Sequence, residues 1–273
     1  MTLGEFVKAM CRKMAGGKEE KRFFKEEREC TLHGKYTPYE LSFLGNKVKV
    51  ESCPSCRERE IEEWKGWYIE GISRVAESFI RQNVPERFWF ASISSYYTPT
   101  LRMKAVKNRI LEFIAKPEGK ALLLTGNPGT GKSHIGYAIY KYFLVLHLIS
   151  DPHLLSPKSL PIVTSALDLV RSVKGTWYGN GEGRFDSEEE ALFYYSNVGI
   201  LVIDELGVQF ETQAEKLILT EVINRRYSHL RPLVAISNLS LEELTPILGE
   251  RVLDRFSEIL KFDWQSWREK IYA

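Results

Sequence analysis

Residues 126–133 read Gly-Asn-Pro-Gly-Thr-Gly-Lys-Ser and satisfy the pattern G-x-x-x-x-G-K-[ST] at every position. They stand directly after an apolar run, ALLLT, and directly before a helical pattern, SHIGYAIYKYFLVLHLIS. A strand, this loop and a helix in that order form a phosphate cradle, whereas the same residues elsewhere would be only a glycine-rich turn. The residue types follow from the ligand. Gly126, Gly129 and Gly131 let the backbone curl until its N–H groups face anionic oxygens, with Asn127, Pro128 and Thr130 completing the loop, and the helix N-terminus adds its positive end. Lys132 has the reach for β- and γ-phosphates, and the Ser133 hydroxyl suits the shell of a Mg²⁺ ion, so ATP and Mg²⁺ are the cofactors expected.

A phosphate loop of this kind closes on a parallel sheet, and the rest of the chain has the alternation such a sheet needs. PIVTS, GILVID and PLVAIS read as further buried strands, with SEEEALFYYSN and TQAEKLILTEVINRRYSHL as helices between them. Continuous apolar strands alternating with helices indicate an α/β domain. GILVIDEL ends in two acids: Asp204 is placed to hold Mg²⁺ and Glu205 to polarise the attacking water. PLVAISN ends in Asn238, which neighbouring strand ends would bring near the γ-phosphate. The competing reading makes Asn238 a helix N-cap shared with Ser240.

At 273 residues and 44% hydrophobic the chain can bury one large core or two, and two domains are expected. NVPERF supplies the boundary at Pro85, which divides the chain into 1–83 and 84–273. Within the first part, residues 3–14 carry apolar positions at helical period, 15–29 read as a charge-rich mobile segment, and Arg57 to Gln82 reads as a long helix. The net charge of +2 excludes a global polycationic field, so any contact with DNA must be local. There is no apolar run long enough to cross a membrane, and a cytoplasmic protein is expected.

Four cysteines cluster in the first part: Cys11, Cys30, Cys53 and Cys56. Cys30-x-x-His33 and Cys53-Pro-Ser-Cys56 are two short-spaced ligand pairs flanking a hairpin-like stretch, GKYTPYELSFLGNKVKVE. Thiolate and imidazole in paired knuckles suit tetrahedral Zn²⁺, which would staple a module (about residues 30–56) too small to build a core. The alternative is three unrelated thiols and a surface histidine. Cys11 belongs to the amphipathic pattern.

Two further stretches admit two readings each. RSVKGTWYGNGEGRFDSEEE mixes Trp177, Tyr178 and Phe185 with Arg171, Lys174 and Arg184. Such residues can stack bases and pair phosphates of a single strand, or form a surface loop with one buried Trp. LGERVLDRF sets Arg251 and Arg255 four apart, each after an acid, so that at helical spacing they share one face. That face is either solvated or aimed at an anion.

In this order, GNPGTGKSH, LVIDELGVQ, SNLS and LGERVLDRF resemble the AAA+ ATPases of the DnaC/IstB group, and most closely the DnaC-like loaders of the replicative helicase. The resemblance covers about residues 84–273, and a terminal FDWQSWR adds to it. It implies a five-stranded parallel sheet with helices on both faces. It implies Asn238 as the first sensor, Arg255 as an arginine finger completing a neighbouring subunit's ATP site in trans, and Arg251 beside it. With Lys132 and Glu205 these form the implied catalytic set. In the family the Gly-rich loop lines a central DNA channel, which would bring Trp177, Tyr178 and Arg184 to single-stranded DNA. Only Ser257 to Ala273 follow LGERVLDRF, so a second helical domain is not expected, and Arg268 is the candidate for a second sensor. The N-terminal helical pattern resembles the helicase-gripping end of these loaders, and the cysteine pairs are similar to zinc-bearing N-domains of other helicase loaders. The implied activity is ATP-dependent loading of a hexameric replicative helicase onto single-stranded DNA. An IstB-like transposition helper and a nucleotide-switched adaptor are the alternatives.

Overall fold

The computed structural model describes residues 5, 8, 10, 20–43, 46–51, 53–150, 160–178, 184–207 and 212–268, with the backbone alone at 20, 43, 46, 56, 57, 59–64 and 178. The chain divides into two compact units, Met1–Gln82 with Leu144–Leu155, and Asn83–Phe143 with Ser156–Ala273.

In the first unit, β1 (Glu20–Phe23), β4 (Tyr39–Phe43) and β5 (Asn46–Val50) form an antiparallel sheet in the order β1-β4-β5. Register pairs Tyr39 with Val50 and Leu41 with Val48, so these four apolar side chains share one face and make a small core. The expected hairpin is therefore present. The segment expected to be mobile is not so throughout: its residues 20–23 form β1 because Phe23 packs on Tyr39 at 5.6 Å and Lys21 lies over the same ring at 5.0 Å. A second hairpin, β2 (Arg28–Cys30) with β3 (Gly34–Tyr36), stands apart from that sheet. The long helix α1 runs Pro54–Asn83, three residues earlier than the apolar pattern suggested, since proline is well suited to a first helical turn. Ile72, Ala76 and Ile80 form its buried stripe, while Glu70–Arg74 and Glu77–Arg81 pair on its exposed side. The amphipathic pattern at 3–14 lies almost wholly outside the described residues.

The second unit begins with a 3₁₀ turn, Glu86–Phe88, and α2 (Leu101–Ala115). It continues with β6 (Ala121–Gly126), α3 (Lys132–Ser150, counted with the first unit from Leu144 on), β7 (Ile162–Ser165), α4 (Ala166–Lys174) and a 3₁₀ turn at Gly175–Tyr178. Then come α5 (Glu188–Asn197), β8 (Leu201–Asp204), α6 (Gln213–Ser228), β9 (Leu233–Ile236), α7 (Leu241–Leu248), α8 (Glu250–Leu253) and β10 (Glu258–Phe262). The five strands are parallel in the order β10-β6-β9-β8-β7. Leu123, Ala235 and Ile203 stand side by side in register and enter one core with residues of α4 through α8. The alternate positions Val202 and Ile236 lie against Gly136 of α3, so both faces of the sheet are covered. Buried on both faces, these strands read as unbroken apolar runs. The fifth, β10, has a burial pattern broken by Lys261, and only the family resemblance, not its own periodicity, led to a count of five.

Arg226 of α6 is fully buried without an acid. Its guanidinium donates to the carbonyls of Tyr195, Val198, Gly199 and Pro232, joining the entries to β8 and β9. The stapling end of the sheet is thus opposite the end at which β6, β8 and β9 deliver Gly126, Asp204 and Asn238.

Candidate nucleotide site

At that carboxyl end lies a cavity of about 600 Å³ whose walls include Gly129, Lys132, Ser133, Asp204, Glu205 and Asn238. Lys132 is buried, and its ammonium donates to the carbonyls of Gly126 at 2.7 Å and Asn127 at 2.6 Å. The loop's own oxygens thus hold the charge where phosphate oxygens would take it. Burial lowers the Lys132 ammonium to about 8, opposed by Asp204 and assisted by Arg268. Thr130 is buried, and its hydroxyl donates to the Asn127 carbonyl at 2.8 Å, closing the loop on itself.

The two acids take different roles by environment. Asp204 is held up, chiefly by burial, although the Glu205 N–H (2.9 Å) and the Ser133 hydroxyl (3.4 Å) both donate to Oδ1. A half-buried carboxylate beside a hydroxyl is a fitting oxygen pair for a hard divalent cation, so these two residues suit Mg²⁺. Glu205 is exposed and has φ of 60°, a left-handed conformation rare outside glycine, which turns its carboxylate away from the strand line at the cavity.

Beyond the phosphate loop and the strand ends, two further segments build the site, the second of them the FDWQSWR stretch. One precedes α2: Arg87, Tyr96 and Tyr97 line the cavity, and the Tyr96 hydroxyl donates to the Thr130 carbonyl at 3.0 Å. Phe88 stacks on Tyr137 of α3 at 4.8 Å, and Lys141, one turn on, donates to the carbonyls of Phe88 and Trp89. His134, at the start of α3, contacts the Ser92 carbonyl at 3.0 Å and is lowered by burial, which makes it a packing residue. The other segment follows β10. The Trp264 indole donates to the Thr130 carbonyl at 3.0 Å, the Trp267 N–H to the Gly129 carbonyl at 2.9 Å, and the Asn127 N–H to the Phe262 carbonyl at 3.0 Å. These approaches give the glycines a steric reason of their own. A Cβ at Gly126 would meet the Phe262 oxygen at 2.5 Å, and one at Gly131 would meet the Tyr96 ring at 2.5 Å, both at positive φ. Arg268 also reaches the cavity wall.

The profile of the IstB-like ATP binding protein family matches residues 158–270. The replicative helicase loader DnaC of Escherichia coli K12 is 39% identical over 204 residues, covering 72% of this chain and 77% of that protein. The chain belongs to the DnaC/IstB family of AAA+ ATPases. The replicative helicase loader DnaC of Buchnera aphidicola subsp. Baizongia pistaciae is 40% identical over 157 residues, 56% of this chain and 58% of that one. A crystal structure of the DnaC helicase loader superposes with a TM-score of 0.52 over 65% of this chain and 99% of that chain, at 22% identity, a likeness of fold.

The remaining residues singled out by the DnaC/IstB resemblance divide by where the fold puts them. Asn238 is exposed at the cavity, while Ser240 alone caps α7 in a reciprocal box with Glu243. The turn carrying Asn238 is fixed from behind, since the Ser237 hydroxyl donates to the Leu206 carbonyl at 2.6 Å and accepts from the Leu239 N–H. Arg251 and Arg255 do not share a helix face as their spacing suggested. Gly249, at φ of 83°, ends α7, and α8 is a single turn that closes at Leu253. Arg251 is therefore exposed on the turn, whereas Arg255 lies past it, half-buried, with its guanidinium over the Tyr227 ring at 4.4 Å. Neither lines the cavity of its own chain.

In the Gly-rich segment, Trp177 is exposed, not the buried residue of the alternative reading, and its indole donates to Glu188 at 2.6 Å. Arg184 lies over Tyr194 at 4.6 Å and donates to its hydroxyl at 2.6 Å. Phe185 is buried in the core beneath it and is no platform for a base. Tyr178 is described by backbone alone, and 179–183 lie outside the described residues. In the first unit, the β2–β3 turn and the residue before α1 bring Cys30, His33 and Cys53 together. His33 Nδ1 is 3.7 Å from the Cys30 sulfur and 3.6 Å from the Cys53 sulfur, and all three ligand atoms lie within 4.8 Å of one another. Both cysteines are thiols rather than a disulfide, and the Leu32 backbone and His33 hold Cys30 down to about 6, favouring the thiolate that a metal takes. Cys56 sits in the first turn of α1, where only the backbone is described. No helix among the described residues is long and apolar enough to cross a membrane.

Proposed function

We propose that the chain is an ATP-dependent loader of a hexameric replicative DNA helicase, acting in the cytoplasm and placing the helicase on single-stranded DNA. The observation that carries this is one cavity lined by Lys132, the Asp204–Glu205 pair and Asn238, in a chain 39% identical to a replicative helicase loader over most of its length.

In this reading Lys132 leaves the Gly126 and Asn127 carbonyls for the phosphate oxygens, and Thr130 keeps the loop shaped around them. Ser133 and Asp204 hold Mg²⁺, which when bound neutralises developing phosphate charge. Glu205, set at the cavity by its unusual backbone, orients the attacking water, and Asn238 contacts the γ-phosphate. Arg255, with Arg251 beside it, completes the site of an adjacent subunit, which is supported by neither residue lining its own chain's cavity. Arg268 contacts the phosphates in its own chain. Cys30, His33 and Cys53, with Cys56 as the fourth ligand, hold a structural Zn²⁺ that rigidifies the helicase-binding part, residues 1–83. Trp177, Tyr178 and Arg184 lie along single-stranded DNA, supported by the exposure of Trp177 and Arg184.

The deciding experiment is co-purification of the full chain with a hexameric replicative helicase, followed by transfer of that helicase to single-stranded DNA with ATP and with a Lys132→Ala variant. Loading by the native chain and not by the variant supports the proposal. No helicase capture, together with tight binding to duplex DNA, would instead make the chain a transposition helper, and loading at an unchanged rate by Lys132→Ala would make it a passive adaptor.

A further inference from the structure

Three arginines near the end of α6 and the turn after α8 are satisfied in three different ways. Arg225 is paired with two acids, Glu189 and Glu221. Arg226 is enclosed by four backbone carbonyls. Arg255 has neither. Among the described residues its Nε is buried with no hydrogen-bond partner, and neither Asp254, the residue before it, nor Glu250 forms an ion pair with it. The contact that orients its guanidinium is the face of Tyr227, 4.4 Å from the ring centroid. A half-buried, acid-free arginine on an aromatic face keeps its charge and its planar donors available to an incoming anion, whereas a carboxylate partner would neutralise it.

We propose that Tyr227 is a positioning residue for Arg255, a platform that aims this arginine at the phosphates of the neighbouring subunit's ATP. The inference rests on the reading of Arg255 as the residue that completes that site in trans. The ring face sets the guanidinium plane, and its quadrupole offsets the desolvation of Nε that an acid would otherwise relieve. The Tyr227 ring is half-exposed at the last turn of α6, so it contributes little to the core. The hydroxyl has no part in this role, and a phenyl ring serves as well as a phenol.

Steady-state ATP hydrolysis by the full-length protein with single-stranded DNA tests it. Tyr227→Leu is expected to lower kcat about threefold to thirtyfold with KM for ATP unchanged, and Tyr227→Phe to turn over like the native chain. In an Arg255→Ala background Tyr227→Leu should have no further effect, since its target is gone. Mixing Tyr227→Leu with Lys132→Ala chains should restore hydrolysis, because the latter supply a well-aimed Arg255 to the former's intact sites. A merely structural Tyr227 cannot be rescued that way. Tyr227→Met serves as the second aliphatic variant should Tyr227→Leu fail to fold. A native rate for the aliphatic variants while Arg255→Ala is slow overturns the platform and leaves the trans arginine standing. An equal loss from Tyr227→Leu with and without Arg255 overturns it as well. A native rate for Arg255→Ala removes both.

Discussion

Trp264 donates its indole N–H to the Thr130 carbonyl, at 3.0 Å, and Tyr96 donates its hydroxyl to the same oxygen, also at 3.0 Å. The tip of the phosphate loop is thus held by one residue from before α2 and one from after β10. A loop whose N–H groups must point at phosphate is better the less freedom it loses on binding. Trp264→Phe removes one of the two donors and keeps most of the packing against Phe262, 4.7 Å away. It should lower stability by about 1 kcal/mol and weaken ATP binding several-fold. Calorimetric melting and ATP titration read both, and an unchanged affinity would show that the strap does not order the loop.

Lys132 makes nucleotide binding pH-dependent. In the nucleotide-free protein burial brings its ammonium to about 8 from an ordinary 10.5. The folded state therefore releases a proton in a window where the unfolded state still holds it. The penalty for burying the charge is complete below pH 8 and is relieved as pH rises toward 10.5, so stability relative to a Lys132→Met variant rises across that interval. ATP demands the charged form, so its affinity falls above pH 8, and binding takes up a proton there. Titration calorimetry at pH 8.5 in two buffers of different ionisation enthalpy measures the uptake, and equal uptake by Lys132→Met would refute this assignment.

Glu205 occupies a backbone conformation that glycine adopts without strain, with φ of 60°. Glu205→Gly should stabilise the fold by up to about 1 kcal/mol and abolish hydrolysis, while Glu205→Gln should keep the native stability and bind ATP without hydrolysing it. Thermal melting with a turnover assay separates the two effects. Hydrolysis persisting in both variants would exclude Glu205 as the residue that orients water.

The Cys30–His33–Cys53 cluster predicts about one Zn²⁺ per chain in protein purified without chelator. Cys53→Ser should lose the metal and melt the first unit earlier, with ATP binding unaffected because the nucleotide cavity is lined wholly by residues 87–268. Metal analysis finding no stoichiometric zinc would reduce the cluster to two thiols and a histidine.

Much of the nucleotide site was legible in the sequence because its parts are local. Gly126 to Ser133 is one loop, Asp204 and Glu205 end one strand, and the three inner strands, β6, β9 and β8, announce themselves as apolar runs because both of their faces are covered. Less legible were parts whose character depends on what they meet. Residues 20–23 look like a solvated charge run until Tyr39 gives Phe23 a partner. Phe185 looks like a stacking residue until the core closes over it. Tyr96 carries no motif, and Trp264 belongs to FDWQSWR, which gives a resemblance but no role; they meet Thr130 from 34 and 134 positions away.

The sequence by itself determined the phosphate chemistry, the α/β class and the family, since each rests on residue types at short spacing along the backbone. Only the tertiary structure decided how the arginines are used. Spacing of four put Arg251 and Arg255 on one helix face, but Gly249 and the end of α8 broke that helix, and Arg255 came to rest on Tyr227, 28 residues earlier in the chain. A charge takes its role from what surrounds it once water is excluded, and that surrounding is assembled from α6 and the turn after α8, segments no periodicity connects.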